Sequence, residues 1–132
     1  MKKYVPQPAG LFPTKANSHV VSVTGGTTVH ICGQVALDEN WKIVGEGNFA
    51  AQVDKAFENV GFALKAAGAQ FSDIVKMTVF IVNMGAEHRE PLLQARQRLF
   101  RAPNIPAVTV IGVQALGVPG LMIEVDVTAV ID

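Results

Sequence analysis

Apolar positions recur at helical spacing in two segments of the chain. Asn48 precedes the first segment as a cap, and Gly68 follows it where a helix-terminating glycine is expected. The second segment predicts a helix from Glu90 to Phe100, with Pro91 tolerated in its first turn. The apolar stripe of the first helix consists of Phe49, Val53, Ala56, Phe57, Val60, Leu64 and Ala67.

Segments with a period of two predict five strands. Residues 19–24 and 28–32 are rich in β-branched side chains and flank Gly25-Gly26, which predicts a β-hairpin. A two-residue turn would set His19 opposite Cys32, whereas a three-residue turn would set it opposite Gly33. Further strands are expected over residues 73–82, 107–113 and 121–131.

The order of these elements predicts an α+β fold, a mixed sheet with both helices on one face. Strand-helix-strand crossovers are right-handed, so two crossovers in one direction place their helices on the same side. The strand over residues 73–82 is apolar on both faces apart from Lys76, so its second face needs a cover. We expect another copy of the chain to supply that cover.

Composition narrows the class of protein. A length of 132 residues predicts one domain over residues 1–132, and 49% hydrophobic residues with only 17% charged ones favours burial between subunits. Eleven basic residues balance eleven acidic ones, which argues against nucleic-acid binding. The basic cluster of residues 89–101 (Arg89, Arg96, Arg98, Arg101) is interpreted as a solvated helix face.

The single cysteine, Cys32, excludes an internal disulfide, leaves no zinc-site spacing and fits a reducing compartment. No membrane span or signal-peptide pattern is evident, so a cytoplasmic protein is expected.

Four blocks of sequence resemble the RidA/YjgF (reactive intermediate deaminase) family, over residues 19–131. The blocks are Ile31 to Val35, Ala50 to Gly68 with its Ala-Ala-Gln start, Asp73 to Phe80, and Ile123 to Asp126. The resemblance implies a chorismate-mutase-like fold, a homotrimer and a small-metabolite site in each cleft between subunits. It also implies hydrolysis of enamines and imines without a metal or organic cofactor.

The chain departs from the family pattern at one telling place. Deaminase members usually read Pro-Ala-Arg-Ser or Pro-Ala-Arg-Thr, whereas this chain reads Pro106-Ala107-Val108-Thr109. Valine therefore replaces the arginine that clamps a substrate carboxylate through paired hydrogen bonds. His19 and Cys32 stand where the family often has tyrosine and serine.

Glu124 is the predicted catalytic residue, because it aligns with the acidic residue of the family and could orient or deprotonate water. The alternative is a sheet-face carboxylate paired with a neighbouring base, and Asp126 is expected to be structural. The predicted ligand-binding residues are His19, Cys32, Gly33, Val108 and Thr109.

Three of these residues have both a chemical and a structural interpretation. Cys32 and His19 could form a thiolate-imidazole pair, line a pocket, or pack inertly. Gly33 at a strand end could let a ligand approach its backbone N–H, or only terminate the strand. Thr109 could present a hydroxyl to a ligand or be an ordinary strand residue.

These residues predict a divergent deaminase-like hydrolase that acts on a small reactive metabolite, with water as nucleophile. The alternative is a non-catalytic trimer that binds a small carbonyl or carboxylate metabolite, which Val108 favours. Endoribonuclease activity, a third possibility, is disfavoured by the balanced charge.

Overall fold

Four of the six strands form a mixed sheet in the computed structural model, which describes residues 1–132. The strands are β1 (Lys2–Val5), β2 (Val20–Val23), β3 (Thr27–Val35), β4 (Ile74–Val82), β5 (Ala107–Val113) and β6 (Ile123–Ile131). The main sheet has the order β3-β6-β4-β5, in which β6 runs antiparallel to both neighbours and β5 runs parallel to β4. The predicted mixed sheet is confirmed.

Two helices, α1 (Phe49–Ala66) and α2 (Arg89–Leu99), cover one face of this sheet. The Asn48 side chain accepts a hydrogen bond from the Ala51 N–H at 3.1 Å, which satisfies one free donor of the first turn. Gly68 adopts a φ of 72° just beyond the last turn. Both local signals act as predicted, and the helix boundaries agree with the sequence within one or two residues.

The core lies between the helices and the inward-facing strand residues. Val53, Val60 and Leu64 of α1 are at most 1% exposed. Burial of each of these side chains stabilises the folded state by up to about 3 kcal/mol. From the sheet, Met77, Val79, Ile81, Val125 and Val127 complete the same cluster.

A β-bulge in β4 changes which residues share a face. The register against β6 shifts between Ile74 and Lys76, so Ile74 lies in the core together with Met77. A strict period of two over residues 73–82 predicts Ile74 on the face opposite Met77, and that prediction is wrong because the bulge adds one residue to the strand.

The other face of the sheet, which we call the open face, has no helix packed on it. At one end it carries apolar side chains of β4 and β5, including Phe80, Val82 and Ile111. The remainder is polar, with Lys76, Thr78, Thr109, Asp126 and Thr128. The open face therefore offers an apolar patch beside polar groups, rather than a uniformly apolar surface.

The predicted hairpin between residues 19–24 and 28–32 is wrong. β2 pairs with β1 in a separate two-stranded antiparallel sheet, and β3 pairs with β6. β1, which the sequence pattern did not predict, takes the position beside β2 that β3 would have filled. Gly25 and Gly26 do have positive φ values, 74° and 82°, but the strands they join diverge.

The loop after β3 is organised by the Asp38 carboxylate. Its Oδ1 accepts hydrogen bonds from the backbone N–H groups of Asn40 at 2.8 Å and Lys42 at 3.0 Å. These bonds, the Lys42 bond foremost, lower the pKa of Asp38 below its ordinary value. Trp41, in the same loop, is 76% exposed.

Neither helix combines the length and the apolar character that a membrane crossing requires.

Candidate functional site

Glu124 and Gly33 meet on the open face at the junction of β3 and β6. The register between these strands shifts between Ile31 and Gln34, which places Gly33 within the irregular part of β3. A Cβ atom on Gly33 would lie 2.6 Å from Cδ of Glu124, well inside contact distance. Glycine at position 33 therefore leaves the space that the Glu124 side chain occupies.

From its sequence context, Gly33 could let a ligand approach its backbone N–H or could only terminate the strand. In the single chain, the Glu124 side chain lies in the space beside Gly33. Glu124 is half-buried, opposite Phe80 on one side and Val35 on the other. Its carboxylate thus has an apolar strand neighbour on each side and lies on a face that no helix covers.

Cys32 precedes Gly33 and is exposed. The side-chain amide of Gln34 donates to the Cys32 carbonyl oxygen at 3.1 Å, and the same nitrogen lies 3.5 Å from Sγ. Cys32 is therefore adjacent to the Gly33 and Glu124 pair and has its sulfur accessible.

His19 lies far from Cys32 within one chain. Ser18 bridges to Ala107 at the start of β5, which is one edge of the main sheet, whereas β3 is the other edge. Ser18 therefore lies four strand spacings from β3, which amount to about 19 Å. The predicted His19–Cys32 pair is therefore wrong within one chain, because it required the hairpin that does not form.

The His19 ring is held locally by Phe12. One ring nitrogen lies 2.7 Å from the Phe12 carbonyl oxygen, and the two rings pack edge to face with centroids 4.7 Å apart. Phe12 itself is 71% exposed. This pair is thus an exposed aromatic feature beside the β5 edge.

Thr109 of β5 accepts a hydrogen bond from the Lys76 ammonium group at 2.7 Å. Lys76 is not among the predicted site residues, although a single cation in an otherwise apolar strand was a usable signal. Val108, the neighbouring residue, lies on the helix-covered side and packs against the core. Alternate strand residues face opposite ways, so Val108 and Thr109 have different surroundings.

The six predicted site residues thus fall into two groups in one chain. Glu124, Gly33 and Cys32 lie at β3 and β6, while His19, Val108 and Thr109 lie at or beside β5. Thr109 pairs with Thr78 of β4, which pairs in turn with Asp126 of β6. Thr109 and Glu124 are therefore two strand spacings and two residues along the strand apart, which is about 12 Å on the open face. None of the six residues lines a cavity of the single chain.

A buried amide positions the segment that leads into β6. Gln52 of α1 is 0% exposed; its Nε2 donates to the carbonyl oxygens of Gly45 at 3.2 Å and Gly120 at 3.0 Å. Its Oε1 accepts from the Met122 N–H at 2.8 Å. Gln52 therefore fixes the chain two residues before Glu124, a role that its place on an apolar helix face did not reveal.

Comparisons with known proteins agree on one family. A family model described as endoribonuclease L-PSP matches residues 11–131. RutC family protein YjgH of Escherichia coli (strain K12) is 31% identical over 123 residues, 92% of this chain and 90% of YjgH. A protein of Dermatophagoides farinae named 2-iminobutanoate/2-iminopropanoate deaminase is 30% identical over 111 residues, 84% and 79% of the two chains.

A solved structure extends the likeness over almost the whole chain. YyfB from Yersinia pestis, described as a protein of unknown function of the conserved Rid protein family, superposes with a TM-score of 0.91. The two chains share 31% identity, and 98% of each is covered.

Proposed function

The chain belongs to the RidA/YjgF family, and on that premise we propose that it hydrolyses small enamines or imines to a carbonyl compound and ammonia. The observation that carries this proposal is the Glu124 carboxylate, which lies on the open face in space left free by Gly33. A relative from Dermatophagoides farinae is named for this type of reaction on 2-iminobutanoate and 2-iminopropanoate.

The reaction needs one group that can both accept and donate a proton. In the proposed mechanism an enamine first gains a proton on carbon and loses one from nitrogen, which gives an imine. Glu124 accepts a proton from water as the water oxygen bonds to the imine carbon, and it returns this proton to the nitrogen, which gives a carbinolamine. Glu124 then transfers the hydroxyl proton of the carbinolamine to the nitrogen. The C–N bond breaks as the C=O bond forms, which releases ammonia and the carbonyl product and leaves the carboxylate ionised.

We propose that the complete site forms between subunits of a homotrimer. Glu124, Gly33 and Cys32 of one chain, and the His19 and Thr109 group of a neighbouring chain, would line one cleft. The separation of about 12 Å between Thr109 and Glu124 in one chain supports this arrangement, since a small ligand cannot contact both. The apolar patch of Phe80, Val82 and Ile111 offers surface that a second copy would bury.

Substrate recognition should differ from that of members with an arginine at position 108. Val108 is apolar and packs on the core, so no cation at this position can pair with a substrate carboxylate. We therefore expect imines without a carboxylate to be hydrolysed at least as well as those derived from amino acids.

Ammonia release from freshly generated imines, with and without a carboxylate, tests the proposal. Glu124→Gln should abolish acceleration over buffer, whereas Asp126→Asn should retain it. Asp126 is a suitable control because it is exposed on the same strand face, two residues further along. A wild-type protein that gives no acceleration with any imine would refute the enzymatic proposal.

A non-catalytic binding trimer is the second candidate, and the valine at position 108 favours it. In that case small carbonyl compounds or carboxylates would bind to wild-type protein and to Glu124→Gln with equal affinity, and no imine would be hydrolysed. Calorimetric titration of both proteins alongside the ammonia assay separates the two functions.

Endoribonuclease activity, which the description of the family model names, is not favoured by the charges of this chain. The chain has a formal net charge of zero. RNA binding depends on neutralising phosphates with clustered cations. One of the four arginines of residues 89–101, Arg96, is only 8% exposed and cannot contribute to such a surface.

A further inference from the structure

Two side-chain amides of α1 hold backbone segments of β3 and β6. Gln52 and Asn59 are seven residues apart, so they lie on the same side of the helix, about two turns from each other. Gln52 is 0% exposed and Asn59 is half-buried. We call these two residues the α1 amide pair. Both belong to the helix-covered side of the sheet, whereas the Glu124 side chain lies on the open face.

Gln52 fixes the backbone at the start of β6. Its NH2 group donates to two carbonyl oxygens, one in the loop before α1 at 3.2 Å and one in the turn before β6 at 3.0 Å. Its Oε1 accepts from the Met122 N–H at 2.8 Å, and the Met122 carbonyl oxygen accepts from the Val82 N–H at 3.1 Å. Met122 is therefore held at both its N–H and its carbonyl group, two residues before Glu124.

Asn59 fixes the end of β3, on the other side of Glu124. Its NH2 group donates to the carbonyl oxygens of Val35 at 2.7 Å and Leu37 at 2.9 Å. Val35 is the β3 residue that pairs with Glu124. The α1 amide pair therefore holds the backbone opposite Glu124 as well as the backbone that precedes it.

The strand ladder alone does not fix this part of the sheet. The register of β3 against β6 shifts between Ile31 and Gln34, and a bulge interrupts the regular hydrogen bonds of a ladder. Glu124 is the second residue of β6, so only one ladder pair precedes it. The contact between Gly33 and Glu124 leaves no room for a single additional Cβ atom. A small displacement of either strand would therefore move the carboxylate.

We propose that Gln52 and Asn59 are positioning residues for Glu124 in the hydrolysis of imines. Neither side chain touches the substrate, because both act through the backbone of β3 and β6 from the opposite side of the sheet. A buried polar network whose donors all have partners is rigid, so the α1 amide pair restricts the movement of both strands beside Gly33. This inference rests on the function proposed above for Glu124.

Steady-state kinetics of imine hydrolysis by Gln52→Leu test the proposal, at a temperature at which the variant is folded. The kcat should fall by about tenfold to 100-fold, because misplacing a reacting group by about 1 Å costs about 100-fold in rate. The KM should change by less than about twofold, since the lost bonds do not involve the substrate.

Leu64→Ala is the matched control for a general loss of stability. Leu64 lies on the same helix and is 1% exposed, so its truncation destabilises the fold without removing a hydrogen bond near Glu124. The folded control should keep the wild-type kcat. Equal kcat values in folded Gln52→Leu and folded Leu64→Ala would show that Gln52 is merely structural and would overturn the proposal.

The NMR resonance of the Gly33 amide provides a measurement that does not depend on activity. It should shift in Glu124→Gln, which establishes that it reports on the Glu124 side chain, and also in Gln52→Leu and Asn59→Leu. It should stay in place in Leu64→Ala. If the wild-type protein hydrolyses no imine, the proposed function fails, and these shifts still decide whether the α1 amide pair positions Glu124.

Asn59→Leu is a second variant, because leucine has nearly the shape of asparagine and lacks its donors. Should Gln52→Leu fail to fold, Asn59→Leu decides both measurements, with the same expected fall in kcat. An unchanged Gly33 resonance in the folded variants of the α1 amide pair would overturn the inference, whatever their activity.

Discussion

Replacement of Gly33 by alanine should damage the site without unfolding the protein. The new Cβ atom would lie 2.6 Å from Cδ, 2.7 Å from Cγ and 2.9 Å from Oε1 of Glu124. Carbon atoms in contact lie about 3.5–4.0 Å apart, so the Glu124 carboxylate must move by about 1 Å. It can do so because the atoms in question belong to the end of a flexible side chain rather than to the backbone.

The size of the functional loss follows from that displacement. Misplacing a reacting group by about 1 Å can cost about 100-fold in rate, which corresponds to about 2.7 kcal/mol of activation free energy. We therefore expect kcat/KM for imine hydrolysis to fall by about two orders of magnitude in Gly33→Ala. The free energy of unfolding should change by less than about 1 kcal/mol, because alanine has fewer unfolded conformations than glycine.

Ammonia release and urea denaturation measure the two quantities on the same samples. Gly117→Ala is the matched control, since a Cβ atom at Gly117 meets nothing within 4 Å and the residue has no positive φ. It should leave both quantities unchanged. Wild-type activity in Gly33→Ala would refute the idea that the space at position 33 sets the position of Glu124.

Three further predictions concern stability. Gln52→Leu removes the side-chain partner of three backbone groups, the carbonyls of Gly45 and Gly120 and the N–H of Met122, and should reduce the free energy of unfolding in urea by about 2–4 kcal/mol. Gln94→Leu, at an exposed position, should change it by less than about 0.5 kcal/mol. Leu64→Ala should cost about 2–5 kcal/mol because Leu64 is 1% exposed, and Phe62→Ala, at a side chain 59% exposed, should cost clearly less in the same denaturation assay. Folding lowers the pKa of Asp38 below its ordinary value of 3.8. The ionised carboxylate therefore stabilises the folded state above pH 3.8, and this stabilisation is lost as the pH falls through the pKa of the folded state. An NMR titration of the Asp38 carboxyl carbon with a midpoint at or above 3.8 would contradict this prediction.

The helices and most strand positions could be predicted because their signals are local. Asn48 and Gly68 bound α1 through contacts with their own neighbours in sequence, and the apolar stripe between them needs no knowledge of the fold. The order of elements and the handedness of crossovers then place both helices on one face. Alternation along residues 121–131 likewise places Glu124 on the face opposite Val125 and Val127.

Features that depend on distant partners could not be predicted in this way. Gly25 and Gly26 adopt the backbone angles of a hairpin turn, yet the pairing partner of β2 is β1. A Cβ atom on Gly26 would lie 2.7 Å from the Ile131 carbonyl oxygen, so glycine is also required there by β6. Gly26 thus matches the local sequence pattern of a hairpin turn, although its close contact with β6 is what requires glycine at this position.

Arg96 illustrates the same limitation on a helix. Its charge led to its interpretation as part of a solvated face, although it follows Leu92 by four residues and Ala95 by one and lies on the buried side with both. Only the packed structure shows which arginine of α2 is buried. The division of the site residues between two edges of the sheet likewise depends on strand order, which local patterns do not encode.

The position of β6 has a consequence for how the chain acquires its structure during synthesis. β6 leaves the ribosome after the other five strands, yet it lies between β3 and β4, which have no hydrogen bonds to one another. The nascent chain therefore exposes the edges of β3 and β4 until residues 123–131 emerge, and contacts between strands so distant in sequence form slowly. We expect chaperones that shield unpaired strand edges to act on the nascent chain mainly in this interval.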